Sequence, residues 1–342
     1  MTEYPHESAI PAPSAPFGDA EPSGAIPKSA GAMQIIAVTN IKGGVGKTTT
    51  AVNLAFLCAA SGRRSLLWDL DPQGAATYLL RCEPQENASA KKLVSGKREL
   101  NELVVASGHD RLDVLPADFS YRNFDVHLSA RKNPTERLLR MSRNLRELYD
   151  VLFLDCPPGI SLLSENVLRA ADAVVVPLLP SPLSVRMLVQ LRDFLVANAW
   201  VDMTLLPFFS MVDRRKALHH EVIAGTRLQF PGMLKTEVPY WSEIERMALR
   251  RAPLPAYAPR SEAASVYTAL WSEVEVKLKQ AAFTRASVRR NRGCPRASSN
   301  LSIWRVRIRS WTARRCTSRV CAWGANSHAR LPAYPPRGIS MW

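Results

Sequence analysis

The sequence predicts an α/β fold, a doubly wound and mostly parallel sheet with helices on both faces. Short unbroken apolar runs at 34–39, 65–69, 151–155 and 173–177 have strand length and lack the alternation of a half-exposed strand. Helical patterns lie between them, so strand and helix take turns along the chain. A glycine-rich loop joins the first strand to the first helix.

Taken in order, residues 1–32 are rich in Pro, Ala, Ser and Gly and lack apolar periodicity. They read as a disordered leader, either inert or a tether for a partner. The strand at 34–39 opens the folded part. A helix over 48–61 follows, with Val52, Ala55, Phe56 and Ala59 on one face, and then the strand at 65–69. Helices over 135–149, 162–171 and 183–199 flank the strands at 151–155 and 173–177. A strand over 204–212, a helix over 216–229 and a last strand over 233–238 come next. A closing helix over 261–282 repeats Val266, Leu270, Val274 and Leu278 at every fourth position. These elements make one domain over 33–283.

Charge separates that domain from the tail at 284–342. The chain has a formal charge of +15, yet residues 284–342 hold 13 Arg and no Lys, Asp or Glu. Residues 1–283 thus keep 32 basic against 30 acidic side chains, so the basic balance belongs to the tail. The tail also carries four Trp and three of the six Cys without any helical or strand period. It reads either as an Arg-rich nucleic-acid arm or as an unstructured chain end that never evolved to fold, as a shifted reading frame produces. No CxxC pair occurs, which fits a reduced cytoplasmic protein. The N-terminus lacks the pattern of a signal peptide. The apolar run 173–185 contains Pro177, Pro180 and Pro182 and is too short to span a bilayer, so no stable membrane insertion is expected.

The loop Lys42-Gly-Gly-Val-Gly-Lys-Thr-Thr49 has the strand before it and the helix after it that a phosphate-binding P-loop needs. Gly43, Gly44 and Gly46 let backbone N–H groups, with that of Val45, close around phosphate oxygens. The helix start, with Thr49, presents unpaired amides to the same anion. Lys47 has the reach for the β- and γ-phosphates, and the Thr48 hydroxyl suits Mg²⁺. ATP and Mg²⁺ are therefore the expected ligands. In the general pattern the first position is Gly, and here Asn40 stands in its place.

With Lys42 inside the loop, the segment resembles the deviant P-loop, KGGxGK[ST], of the ParA/MinD family, and within it the ParA/Soj-type partition proteins. Asp69-Leu-Asp71-Pro-Gln-Gly74 is similar to that family's first switch, and Asp155-Cys-Pro-Pro-Gly159 to its Walker B and second switch. The resemblance covers about residues 33–280 and leaves out leader and tail. It implies that Lys42 crosses an ATP-sandwich homodimer to touch the partner's nucleotide. It implies that Asp71 orients or deprotonates the attacking water, Asp69 holds a Mg²⁺-bound water, and Asp155 lies in the metal's second shell with Gly159 near the γ-phosphate. Segments at Met211–Asp213 and Glu237–Pro239 resemble those that flank the adenine, which makes Asp213 and Pro239 cofactor-binding candidates.

What the resemblance implies about function is a slow, partner-stimulated ATPase. It dimerises on ATP, binds DNA non-specifically, associates with the nucleoid and answers to a ParB-like partner in chromosome or plasmid partitioning. Candidate DNA contacts are Arg214 and Arg215, with Arg246, Arg250 and Arg251 spaced to share one side of a helix near its end. A solvated helix end accounts for the same arginines. Other functions known in the family are positioning of a non-DNA cargo and a MinD-like membrane cycle. An ATP-dependent amidoligase of the cobyrinic acid synthase type is a reading from a different class. His219 and His220 are adjacent and do not share a helix face, so they point to no metal.

Overall fold

The structure, a computed structural model, describes residues 33–292 except 87, 199, 201 and 202, with side chains to residue 284. The leader, and the tail beyond residue 292, lie outside the described residues. Contacts divide the chain into two units, Met1–Arg285 and Ala286–Trp342.

In chain order the elements are β1 (Gln34–Val38), α1 (Lys47–Ala60), β2 (Ser65–Asp69), α2 (Ala75–Leu79), α3 (Ala90–Ser95), β3 (Val105–His109), β4 (Leu112–Leu115), α4 (Phe124–Ser129), α5 (Arg137–Met141) and β5 (Val151–Asp155). There follow α6 (Leu162–Ala170), β6 (Ala173–Leu178), α7 (Pro182–Ala197), β7 (Thr204–Val212), α8 (Ala217–Gln229), β8 (Glu237–Pro239), α9 (Ser242–Glu245), α10 (Met247–Arg250), α11 (Leu254–Tyr257) and α12 (Glu262–Arg292). The strands form one eight-stranded sheet in the order β3-β4-β2-β5-β1-β6-β7-β8. All neighbours are parallel except β3 and β4. The expected doubly wound sheet is present.

Alternation along β1 shows why the runs are apolar throughout. Ile35 and Ala37 enter a core shared with Leu163 and Val167 of α6, whereas Ile36 and Val38 enter a second core with Val52 and Ala55 of α1 and Leu270 and Val274 of α12. Each face of the sheet is covered, so neither parity of residue is free to be polar.

Four expectations are corrected. The helix over 135–149 is broken: α5 is five residues long, flanked by 3₁₀ turns at Pro134–Glu136 and Ser142–Leu145. Asn166 of α6 accounts for the first break, because its Oδ1 accepts from the amides of Arg137 and Leu138 at 2.9 and 3.2 Å and starts the helix there. The last strand is only Glu237–Pro239, since the Glu273 carboxylate takes the Lys235 and Thr236 amides at 2.6 and 3.0 Å that a ladder would have used. The closing helix continues to Arg292. Arg246, Arg250 and Arg251 do not share one helix: Arg246 joins α9 to α10, and Arg251 caps α10 in the left-handed region. The β3–β4 hairpin at the sheet edge was not expected.

Candidate nucleotide-binding site

β1 lies between β5 and β6, and the chain leaves its C-terminal end toward β2 on one side while β6 leads to β7 on the other. That end is a topological switch point, the place where open α/β sheets hold ligands. Residues 39–46 turn there into α1. Gly44 and Gly46 have φ of 69° and 87°, the left-handed region where a Cβ is strained. A Cβ on Gly46 would also lie 3.2 Å from Ser210 Oγ. No side chain caps α1, and its first turn holds no acidic residue. Its first amides therefore remain open to an anion.

Asn40 explains the departure from the general loop pattern. It is buried, its Nδ2 donates to Pro177 O at 2.7 Å, and its Oδ1 accepts from the Lys42 amide at 3.0 Å. The loop is thereby fastened to β6. Lys47 is buried, and its Nζ donates to Lys42 O at 3.3 Å. Burial pulls its pKa down, while Asp155 and Asp71 push it back up. The Lys42 side chain is exposed. Val45 is buried, and Thr48 and Thr49 sit half-buried in the first turn of α1.

The carboxylates stand beside this loop. Val38, Asp155 and Asp69 are register neighbours on β1, β5 and β2. Asp155 is fully buried, and neither carboxylate oxygen has a well-formed hydrogen bond. Burial and the neighbouring Asp69 raise its pKa well above the ordinary value, with Thr48 and Lys47 opposing. Asp69 is equally buried but satisfied: Oδ2 accepts from the Thr77 amide and hydroxyl, both at 2.8 Å, and Oδ1 from the Asp71 amide at 3.2 Å. Desolvation still pushes it up to about 6. Asp71 is half-buried, and its Oδ1 accepts from the Gln73 amide at 3.0 Å. Gly159 has φ of 111° on the loop after β5.

On the far side a cavity of about 240 Å³ is lined by Val212, Asp213, Pro239, Tyr240 and Trp241 among others. Asp213 is held by Arg215 through two bonds of 3.0 Å, which lower its pKa to about 2. Its amide donates to His219 Nδ1 at 3.0 Å, and His220 Nε2 donates to Arg214 O at 2.7 Å. The adjacent histidines thus both fasten the 213–216 loop, a role that face geometry alone did not suggest. Arg214, Arg215, Arg246 and Arg250 are exposed. Arg251 is engaged: its Nε donates to Tyr78 O at 3.0 Å. Sequence reasoning missed Asn40, Thr77, Tyr240 and Trp241. Only Asn40 left a trace, as the residue standing where the general loop has Gly.

Residues 33–197 match a family described as an AAA domain. The sporulation initiation inhibitor protein Soj of Bacillus subtilis is 33% identical over 250 residues, 70% of this chain and 98% of Soj. The chromosome partitioning protein ParA of Myxococcus xanthus is 33% identical over 70% of this chain and 87% of its own. Among solved structures, the cobyrinic acid a,c-diamide synthase of Mycobacterium smegmatis with bound ADP and magnesium superposes with a TM-score of 0.59 at 27% identity, over 70% of this chain and 93% of that one.

Proposed function

The chain belongs to the ParA/MinD family of P-loop ATPases, as its similarity to Soj and ParA shows, and from that premise we propose that it is a Mg·ATP-driven dimerising switch for DNA partitioning. The observation that carries the proposal is the pair of loop lysines. Lys47 is buried against the carboxylates, while Lys42, in the same loop, is exposed. One lysine serves the nucleotide of its own subunit, and the other is free to serve a nucleotide held by a second copy.

The residues fit the ligand. The open amides of α1 and the Gly43–Gly46 turn take the β- and γ-phosphates with Lys47. Asp155, buried and without a good hydrogen bond, needs a cation nearby, and the Thr48 hydroxyl lies beside it. Among the described residues no cluster of three or more His, Cys, Asp or Glu forms a metal cage. That suits Mg²⁺, which relies on substrate phosphates and waters. Bound Mg²⁺ supplies charge neutralisation at the phosphates. Asp71, the more accessible carboxylate, orients the attacking water, and Asp69 holds the Asp71 backbone in place. The base occupies the cavity beside Asp213 and Pro239.

Because phosphoryl transfer needs positioning more than covalent help, a site completed across two subunits is a switch: ATP joins them and hydrolysis parts them. Joining two copies doubles the exposed arginines at 214, 215, 246 and 250 and raises DNA avidity. A ParB-like partner would accelerate hydrolysis. Among the described residues no helix is long and apolar enough to cross a membrane. The likeness to the diamide synthase supports a second reading, an ATP-dependent amidoligase. ATP turnover that requires a carboxylate acceptor and a nitrogen donor would favour it.

The test is binding of the full chain to non-specific duplex DNA with Mg·ATP, with Mg·ADP and without nucleotide, over a salt series. The tail's arginines contribute equally in all three states, so the reading is the ATP-dependent gain. A gain present in the wild type and absent in Lys42→Ala supports the switch. Intact hydrolysis without any gain rejects DNA tracking and favours a membrane-cycling or metabolic role.

A further inference from the structure

Among the described residues three arginines, Arg81, Arg111 and Arg251, hold backbone conformations that favour glycine, and two of them face each other. Arg81, just after α2, has φ of 56°, and Arg251, at the end of α10, has φ of 47°. A residue with a Cβ is strained there, so the side chain must contribute something that glycine lacks. Each guanidinium reaches the other's segment. Arg81 donates from Nη2 to Arg250 O at 3.0 Å and from Nε to Arg251 O at 3.2 Å. Arg251 donates from Nε to Tyr78 O at 3.0 Å, with its guanidinium carbon 4.5 Å from the centre of the Tyr78 ring. The last carbonyls of a helix lack partners within it. Here each arginine donates to carbonyls at the end of the opposite helix, Tyr78 O accepting the Arg81 amide at 3.1 Å as well.

Both helices have a second attachment, that of α2 in the nucleotide site and that of α10 on the helix α1 that follows the phosphate loop. In α2, Thr77 gives its amide and hydroxyl to Asp69, which in turn takes the Asp71 amide. In α10, Met247 Sδ accepts from Asn53 Nδ2 of α1 at 3.3 Å, and Asn53 Oδ1 takes the Leu254 amide at 2.8 Å. α10 is also flanked by the exposed Arg246 and ends in the exposed Arg250. The clasp therefore closes a path from Asp71 through α2 to the basic segment.

We propose that the Arg81–Arg251 clasp is the coupling element between the catalytic loop at 69–74 and the basic segment at 246–251. Arg81 and Arg251 are positioning residues. They fix the far end of α2, so that the Asp71 backbone keeps its place, and they carry any nucleotide-dependent shift of that loop to Arg246 and Arg250. The inference rests on the reading of Asp71 as the hydrolytic carboxylate. A merely structural staple would hold the two segments together without responding to nucleotide.

Hydrogen–deuterium exchange of the full chain, with and without Mg·ATP, separates these. The variant is Arg81→Gly with Arg251→Gly, since glycine relieves both left-handed positions and favours a folded product; Arg81→Gly alone is the second variant. In the wild type Mg·ATP should slow exchange at 42–49, 69–80 and 246–257. In either variant the first two should still respond and 246–257 should not. Turnover should fall about three- to ten-fold at unchanged KM for ATP. A wild-type response at 42–49 without one at 246–257, or the same response at 246–257 in the variants, overturns the coupling and leaves the nucleotide reading intact. No wild-type response at 42–49 rejects the nucleotide reading itself, and the clasp's role with it.

Discussion

At the scale of single residues, Asp155 carries the main tension in the fold. A buried carboxylate without a good hydrogen bond is held in place although it disfavours the nucleotide-free state. Asp155→Asn should therefore raise the melting temperature of the nucleotide-free protein at pH 7.5, by about 2–4 °C for each kcal/mol of relieved desolvation. The same variant should lose most of the stabilisation that Mg·ATP gives the wild type, and a thermal shift series checks both halves. The pH dependence has a definite sign. Asp69 and Asp155 both have raised folded-state pKa values, so the fold favours their protonated forms. For Asp69 this contribution is complete below the ordinary value of 3.8 and is lost as pH rises through about 6. The gain of Asp155→Asn over wild type should accordingly grow from pH 4 to pH 7. Lys47→Ala or Thr48→Ala should abolish Mg·ATP binding in a fluorescent-nucleotide titration. Asp71→Ala should bind as the wild type does and fail to release phosphate. Normal turnover in Asp71→Ala would remove that residue from the chemistry.

At the scale of elements, the loop between β1 and α1 is held from outside as well as from within. Asn40→Gly restores the general loop pattern but deletes the buried bond to Pro177 O. Losing a buried hydrogen bond of this kind costs about 1 kcal/mol, so the KM for ATP should rise about five-fold with the fold retained. Steady-state phosphate release measures it, and an unchanged KM would mean that the glycines alone shape the loop. The five central parallel strands were legible because burial on both faces leaves them largely apolar without a polar face. The β3–β4 hairpin was not legible, because Val105-Ala-Ser-Gly-His109 lies at the sheet edge, only half-buried, and lacks an apolar face. The segment at 135–149 satisfied a helical period through Leu138 and Leu145, both buried. Its first break comes from Asn166, which is close in space and distant in sequence. The P-loop and its carboxylates were readable as local motifs. Thr77 and the two clasping arginines were not, because their partners sit in other segments.

At the scale of the whole molecule, net charge and fold belong to different parts of the chain. Residues 284–342 hold 13 Arg and no acidic side chain, whereas residues 33–283 balance 31 basic against 26 acidic ones, and the basic side chains they expose include small groups such as Arg214 with Arg215 and Arg246 with Arg250. In α12 the buried face ends at Leu278 among the residues whose side chains are described. Packing on the sheet thus ends before residue 284, and removing 284–342 should change the melting temperature little and leave phosphate release intact. DNA binding should change in kind. Each phosphate contact contributes about −0.9 to the slope of log affinity against log salt, so loss of 13 arginines should flatten the nucleotide-independent slope by several units if the tail touches DNA. The ATP-dependent gain should survive, because it arises from the paired domains. Filter binding of full-length and truncated chains across a salt series, each with Mg·ATP and with Mg·ADP, separates the two contributions. Loss of the ATP-dependent gain on truncation would place the DNA contacts in the tail and leave the clasped arginine segment without its proposed target. Survival of the gain with a shallower slope would assign bulk affinity to the tail and the switch to the P-loop domain.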